Sequence, residues 1–131
     1  MTISGKKVLI VDDDNFLLDI YSVKFKERGA DIHLAPSGAD AIKAVRAGFV
    51  PDIIILDLVM PNMDGVEVLN TLRDERLVNG AVKIMLTNQS QQEDLERSTA
   101  AGAMGYIVKA SMTPSQVLAE VEKIYEKYRV A

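Results

Sequence analysis

The chain has 131 residues, 48% hydrophobic and 26% charged, with 19 acidic residues against 15 basic ones and a net charge of −4. That length suits one domain, expected over 1–131, which buries about two-thirds of its unfolded surface without a metal or disulfide staple. The absence of cysteine and the single histidine, His33, exclude thiolate catalysis, Cys-based zinc sites, a Ser/His triad and a multi-His metal site, while the acidic balance excludes a basic nucleic-acid footprint.

Short β-type runs alternate with longer helical patterns. Lys7–Val11 is the first strand, and Leu17, Ile20, Tyr21 and Phe25 share one face of the helix after it, which Gly29 stops. Asp31–Leu34 is a more polar strand suited to a sheet edge, with His33 partly exposed. Ser37 caps a second helix that ends near Gly48. Ile53–Leu56 is a solid aliphatic strand, and Asp64 with Glu67 starts a third helix ending near Gly80. Val82–Leu86 is followed by Ser90 with Glu93, the start expected for a fourth helix ending near Gly102. Gly105–Val108 is the fifth strand. Thr113 and Pro114 open the last helix, whose inner stripe is Val117, Leu118, Val121, Ile124 and Tyr125. The six methionines have no cofactor-like spacing and read as core filling. Five strand–helix units in a row predict an α/β fold with a doubly wound parallel sheet and helices on both faces.

Ligands of such folds bind beyond the carboxyl ends of the strands. There the sequence places Asp12, Asp13 and Asp14 after the first strand, Asp57 after the third, Thr87 after the fourth and Lys109 after the fifth. Carboxylates crowded at one rim repel each other, and a divalent cation relieves them. Oxygen ligands suit Mg²⁺ or Mn²⁺. Lys109 and Thr87 beside that metal complete a pocket for a tetrahedral anion, and Asp57 can act as a carboxylate nucleophile that forms an acyl phosphate. Taken singly, each has a plainer reading: Asp14 as a helix cap, Thr87 as an ordinary strand residue, Lys109 as a solvated charge. Agreement among four strand ends favours a site.

The segments Val8 to Asp14, Ile53 to Gly65, Ile84 to Thr87 and Gly102 to Lys109, in this order and spacing, resemble the receiver domain of two-component response regulators over essentially the whole chain. The resemblance implies a flavodoxin-like five-stranded sheet in the order 2-1-3-4-5. It implies that Asp57 is the phosphoryl acceptor, and that Asp12, Asp13, Asp57 and the Val59 carbonyl hold the metal. Thr87 and Lys109 then contact the phosphoryl oxygens, and Tyr106 is the aromatic whose inward rotation follows the movement of Thr87. Phosphorylation adds about −1.5 to −2 charges at one point, which two bistable side chains report to the face made by the fourth helix, fifth strand and fifth helix.

Two positions depart from the receiver pattern. Ala110 replaces the proline that commonly follows the lysine in a cis peptide, and cis before a non-proline costs about 2.5–4 kcal/mol. A trans bond with a rearranged loop, or strain, is therefore expected. Asn88 stands where a small residue commonly follows the threonine, and its amide could narrow the pocket or contact the phosphoryl group. Val59 and Gln89 flank the path of attacking water.

Aliphatic runs far too short to span a bilayer and an N-terminus without a signal-peptide pattern lead to the expectation of a cytoplasmic protein, and the resemblance implies a stand-alone receiver that takes its phosphoryl group from a histidine kinase or phosphotransfer protein. Output would run through contact with a downstream protein or a phosphorelay, with no nucleic-acid or membrane partner. Leu18, read as lying off the inner stripe of the first helix, is assigned to kinase docking, the plainer reading being one exposed leucine. Two rivals stand beside this: a magnesium-dependent phosphohydrolase with Asp12 as nucleophile, and a receiver-like scaffold indifferent to phosphate. Phe16 in the Asp12-to-Phe16 segment and the lack of a late acidic pair disfavour the first.

Overall fold

Alternate side chains of a strand point to opposite faces, so an apolar run with no polar interruption must be covered on both sides. The computed structural model, which describes residues 2–129, has this arrangement. Strands β1 (Lys7–Val11), β3 (Ile53–Leu56) and β4 (Val82–Thr87) are buried at every position but Lys7. They form the middle of a five-stranded parallel sheet, with β2 (Asp31–Ala35) and β5 (Gly105–Val108) at its edges. The order is β2-β1-β3-β4-β5, a flavodoxin-like winding. The polar β2 takes an edge, with His33 exposed and its ring centroid 5.0 Å from that of Phe49.

One face of the sheet sets Val8, Ile10, Ile53, Ile55, Ile84 and Leu86 against α1 (Asn15–Glu27) and α5 (Pro114–Tyr128). The other sets Leu9, Val11, Ile54, Leu56 and Met85 beneath α2 (Gly38–Arg46) and α3 (Gly65–Asp74). Each such side chain is worth about 1.5–3 kcal/mol when fully buried, so the strand ends are held by the most stable part of the molecule. Helix α4 (Gln92–Ala100) is seated more lightly, since Ser98 is its one buried residue.

Asp14, Ser37, Asp64 and Thr113 accept hydrogen bonds from first-turn N–H groups of α1, α2, α3 and α5, and Asp64–Glu67 and Thr113–Gln116 form reciprocal capping boxes. Helix α4 differs from expectation. It is preceded by Gln91 rather than Ser90 and has no side-chain cap, so Glu93 and Asp94 in its first turn supply the negative charge that its positive end favours. Helix α3 stops at Asp74, where Arg76 takes the left-handed conformation (φ 56°) expected of Gly80, which lies further on in the loop before β4. Leu18 is corrected as well. It is 3% exposed and shares the buried face of α1 with Tyr21, Ser22 and Phe25, while Leu17 and Ile20 are half-buried. The polar Ser22 on that face hid the i, i+4 partner of Leu18 from a reading that follows apolar residues alone. Leu18 belongs to the core and has no surface for a kinase; the outward apolar residues of α1 are Phe16 and Val23.

Candidate functional site

Parallel strands deliver their carboxyl ends to one rim, and the buried residues before each end fix where the next side chain starts. Asp12 follows β1, Asp57 follows β3, Thr87 closes β4 and Lys109 follows β5. The rim brings the first, second and fourth of these together with Asp13. One carboxylate oxygen from each of Asp12, Asp13 and Asp57 lies within 4.8 Å of the other two. Lys109 Nζ donates to Asp12 Oδ2 at 2.6 Å and to Asp57 Oδ2 at 3.0 Å. The side chains of Asp12, Lys109 and Asp57 are 4%, 9% and 12% exposed, whereas Asp13 is exposed. The cluster is closed toward the protein and open at Asp13.

These positions set the charges. Burial pushes the Asp12 carboxyl above its ordinary value, and the Lys109 ammonium and the Asp14 N–H, 2.9 Å from Oδ1, only partly oppose that. Burial alone would lower the Lys109 ammonium, but its bonds to Asp12 and Asp57 together hold it above the ordinary lysine value. Three acids around one cation leave an oxygen-rich, negative pocket. Asp14 is outside it, as its capping role predicted: its Oδ1 accepts from the N–H groups of Phe16 and Leu17.

Thr87 is buried at the end of β4, and its hydroxyl accepts from the Gln89 N–H at 3.3 Å. Tyr106 is half-buried, packed against the core on the α3 side, and its hydroxyl donates to the Gln89 carbonyl at 2.7 Å. Burial raises this phenol, so it remains a neutral donor. Thr87 and Tyr106 thus meet on the backbone of Gln89. The sequence reading placed Gln89 only beside the water path, because a backbone contact leaves no side-chain signature. Val59 is exposed, and its N–H donates to Asp57 Oδ1 at 3.3 Å. Behind Asp57, Gly65 lets α3 approach: a Cβ there would sit 2.5 Å from the Asp57 carbonyl oxygen.

Every peptide bond among the described residues is trans, and the chain leaves Lys109 in a short 3-10 turn, Lys109–Ser111. The rearranged-loop alternative for Ala110 is the one observed. The Asn88 amide does not reach into the pocket with its oxygen, which accepts from the Ala110 N–H at 2.8 Å.

A doubly wound α/β domain with a triple-carboxylate and lysine cluster at the ends of β1, β3 and β5 is the class that fold and site define. The chain matches the response regulator receiver domain over residues 8–122, and it belongs to that family. It is 31% identical over 127 residues to the alkaline phosphatase synthesis transcriptional regulatory protein PhoP of Bacillus subtilis, a match covering 97% of this chain and 51% of that protein. It is 33% identical over 111 residues to the chemotaxis protein CheY of Halobacterium salinarum, covering 85% and 90%. The chain therefore spans about half the length of the first relative and most of the second. Among solved structures, the CheY-like receiver domain protein of Methanospirillum hungatei JF-1 has a TM-score of 0.84 at 28% identity, covering 95% of this chain and 96% of that one. The chemotaxis response regulator CheY4 of Vibrio cholerae has a TM-score of 0.83 at 28% identity, covering 92% and 99%. No helix among the described residues is long and apolar enough to cross a membrane.

Proposed function

We propose that this receiver domain is a phosphorylation-controlled signalling switch in which Asp57 accepts a phosphoryl group from the phosphohistidine of a histidine kinase or phosphotransfer protein. The observation that carries the reading is the Lys109 ammonium, 3.0 Å from Asp57 Oδ2 inside a three-acid cluster. A carboxylate oxygen of Asp57 attacks phosphorus, the new O–P bond forms as the P–N bond to the imidazole breaks, and the phosphoryl charge arrives beside Lys109. The oxygen-only donor set, with two shielded acids and one exposed, fits a hard cation. Asp12, Asp13, Asp57 and the Val59 carbonyl would hold Mg²⁺ or Mn²⁺, which when bound offsets the negative charge of acids and phosphoryl oxygens.

The rest of the switch belongs to the chain itself. The Thr87 hydroxyl, which accepts from the Gln89 N–H, turns its proton to a phosphoryl oxygen, and Tyr106 responds because it holds the same residue's carbonyl. Beside Tyr106, a surface groove of about 380 Å³ lined by Leu95, Thr99, Met104 and Tyr128 suits contact with a downstream protein or relay partner. Asp12 is the less suitable nucleophile: it is the more enclosed acid, with Oδ1 and Oδ2 held at 2.9 and 2.6 Å. The test is incubation with acetyl phosphate and Mg²⁺ followed by intact-mass measurement. Wild type should gain one phosphoryl group and Asp57→Asn none; an unchanged wild-type mass would overturn the reading.

A further inference from the structure

The turn that carries Lys109 lacks a local cap. The residue at its N-cap position is Val108, whose side chain has no acceptor, and the first N–H groups of such a turn have no partner within it. Asn88 supplies one from just past the end of β4, its Oδ1 accepting from the Ala110 N–H at 2.8 Å. The last register pair of β4 and β5 is Thr87↔Val108, so Asn88 and Ala110 stand just past the paired region. The bond requires both residues. A proline at 110 has no N–H to give, and an alanine or glycine at 88 has no side-chain acceptor to offer. The two departures from the receiver pattern are therefore parts of one contact.

We infer that Asn88 is a positioning residue for Lys109, a cap reaching across from β4 that fixes the turn and with it the ammonium beside Asp57. Lys109 is bracketed: upstream, Val108 is held by pairing with Thr87, and downstream, Ala110 is held by Asn88. Because Asn88 follows Thr87 directly, the same bond keeps the two phosphoryl contacts in a common frame. The inference rests on Asp57 being the phosphoacceptor. Asn88 and Ala110 are both exposed, so water competes and the effect is that of one neutral hydrogen bond.

Beryllium fluoride with Mg²⁺, a stable mimic of a phosphoryl group on a carboxylate, is the probe. Asn88→Ala should weaken beryllium fluoride binding about three- to tenfold and speed amide-proton exchange at Ala110, while Mg²⁺ affinity, to which Lys109 contributes no ligand, falls by no more than about twofold. In an Ala110→Pro background the same substitution should cause no further loss, because the donor is already gone. The inference is overturned if Asn88→Ala binds beryllium fluoride as wild type does, loses Mg²⁺ in parallel, or adds its full loss to that of Ala110→Pro. Should Ala110→Pro not fold, unchanged Ala110 exchange in Asn88→Ala overturns it alone. Wild type that neither binds beryllium fluoride nor gains mass from acetyl phosphate would instead overturn the phosphoacceptor reading, and this inference with it.

Discussion

Lys109 is, among the described residues, the one cation set between Asp12 and Asp57, and all three side chains are largely shielded from water. Removing its charge while keeping its bulk leaves two buried carboxylates unpaired. Lys109→Met should therefore lower the stability of the metal-free protein by about 3 kcal/mol, the low end for breaking a buried pair because the cluster opens to solvent at Asp13. Its folded ammonium lies above the ordinary lysine value of 10.5. The stability it contributes is thus fully present below that value and is lost as pH rises through the folded one. Urea denaturation of wild type and Lys109→Met should give a constant difference from neutral pH to that point, shrinking only above it. Asp13 has the opposite sign. It is exposed, and it offers an oxygen within 4.8 Å of two other carboxylates. Asp13→Asn should stabilise the metal-free protein by about 1 kcal/mol, the Coulomb scale for a fully solvated pair about 4 Å apart, while weakening Mg²⁺ binding in titration calorimetry. A clear loss of metal-free stability would contradict the crowding argument. The acids were legible singly in the sequence, but the engagement of Asn88 by Ala110 was not, since it joins residues far apart in the chain through a backbone donor.

Helix α3 reaches the site without a side chain at its first position. A methyl on Gly65 would press on the Asp57 carbonyl oxygen at 2.5 Å and on Met85 Sδ at 3.0 Å, and the backbone atom cannot move aside cheaply. Gly65→Ala should cost about 1–3 kcal/mol in denaturation and slow phosphorylation by acetyl phosphate, since relief requires shifting either α3 or the loop that bears Asp57. Stability equal to wild type would show that α3 seats more loosely than described. Elements such as α3 and α5 were readable because their caps are local: Asp64 with Glu67, and Thr113 with Pro114 and Gln116. Helix α4 was harder, since it has no side-chain cap and buries only Ser98. It is held from outside its own sequence, by Arg97 to Asp64 at 3.3 Å and by Arg73 to the Ala100 carbonyl at 3.1 Å. Few buried contacts leave α4 the helix freest to respond in the proposed switch. In α1, periodicity gave the helix and placed Tyr21 and Phe25 on its inner face but left Leu18 off it, because Ser22 occupies a core position there.

Across the molecule, the order of strands turns a one-dimensional pattern into a site. Residues 12, 57 and 109 are dispersed in the chain, and only a parallel sheet with every carboxyl end at one rim brings them near each other. The aliphatic runs that precede them make that sheet legible from the sequence. What the runs leave out is the backbone of Gln89, on which Thr87 and Tyr106 meet. A folded acid cluster that an unfolded chain cannot reproduce also ties metal binding to stability. Millimolar Mg²⁺ should raise the melting temperature of wild type, and much less that of Asp13→Asn; an unchanged wild-type value would count against the site. The phosphoryl group itself can be located by reducing the phosphorylated protein with borohydride, which converts an aspartyl phosphate to homoserine, and mapping the peptides by mass. Homoserine at position 57 is the predicted result, and homoserine at position 12, with 57 intact, would contradict it.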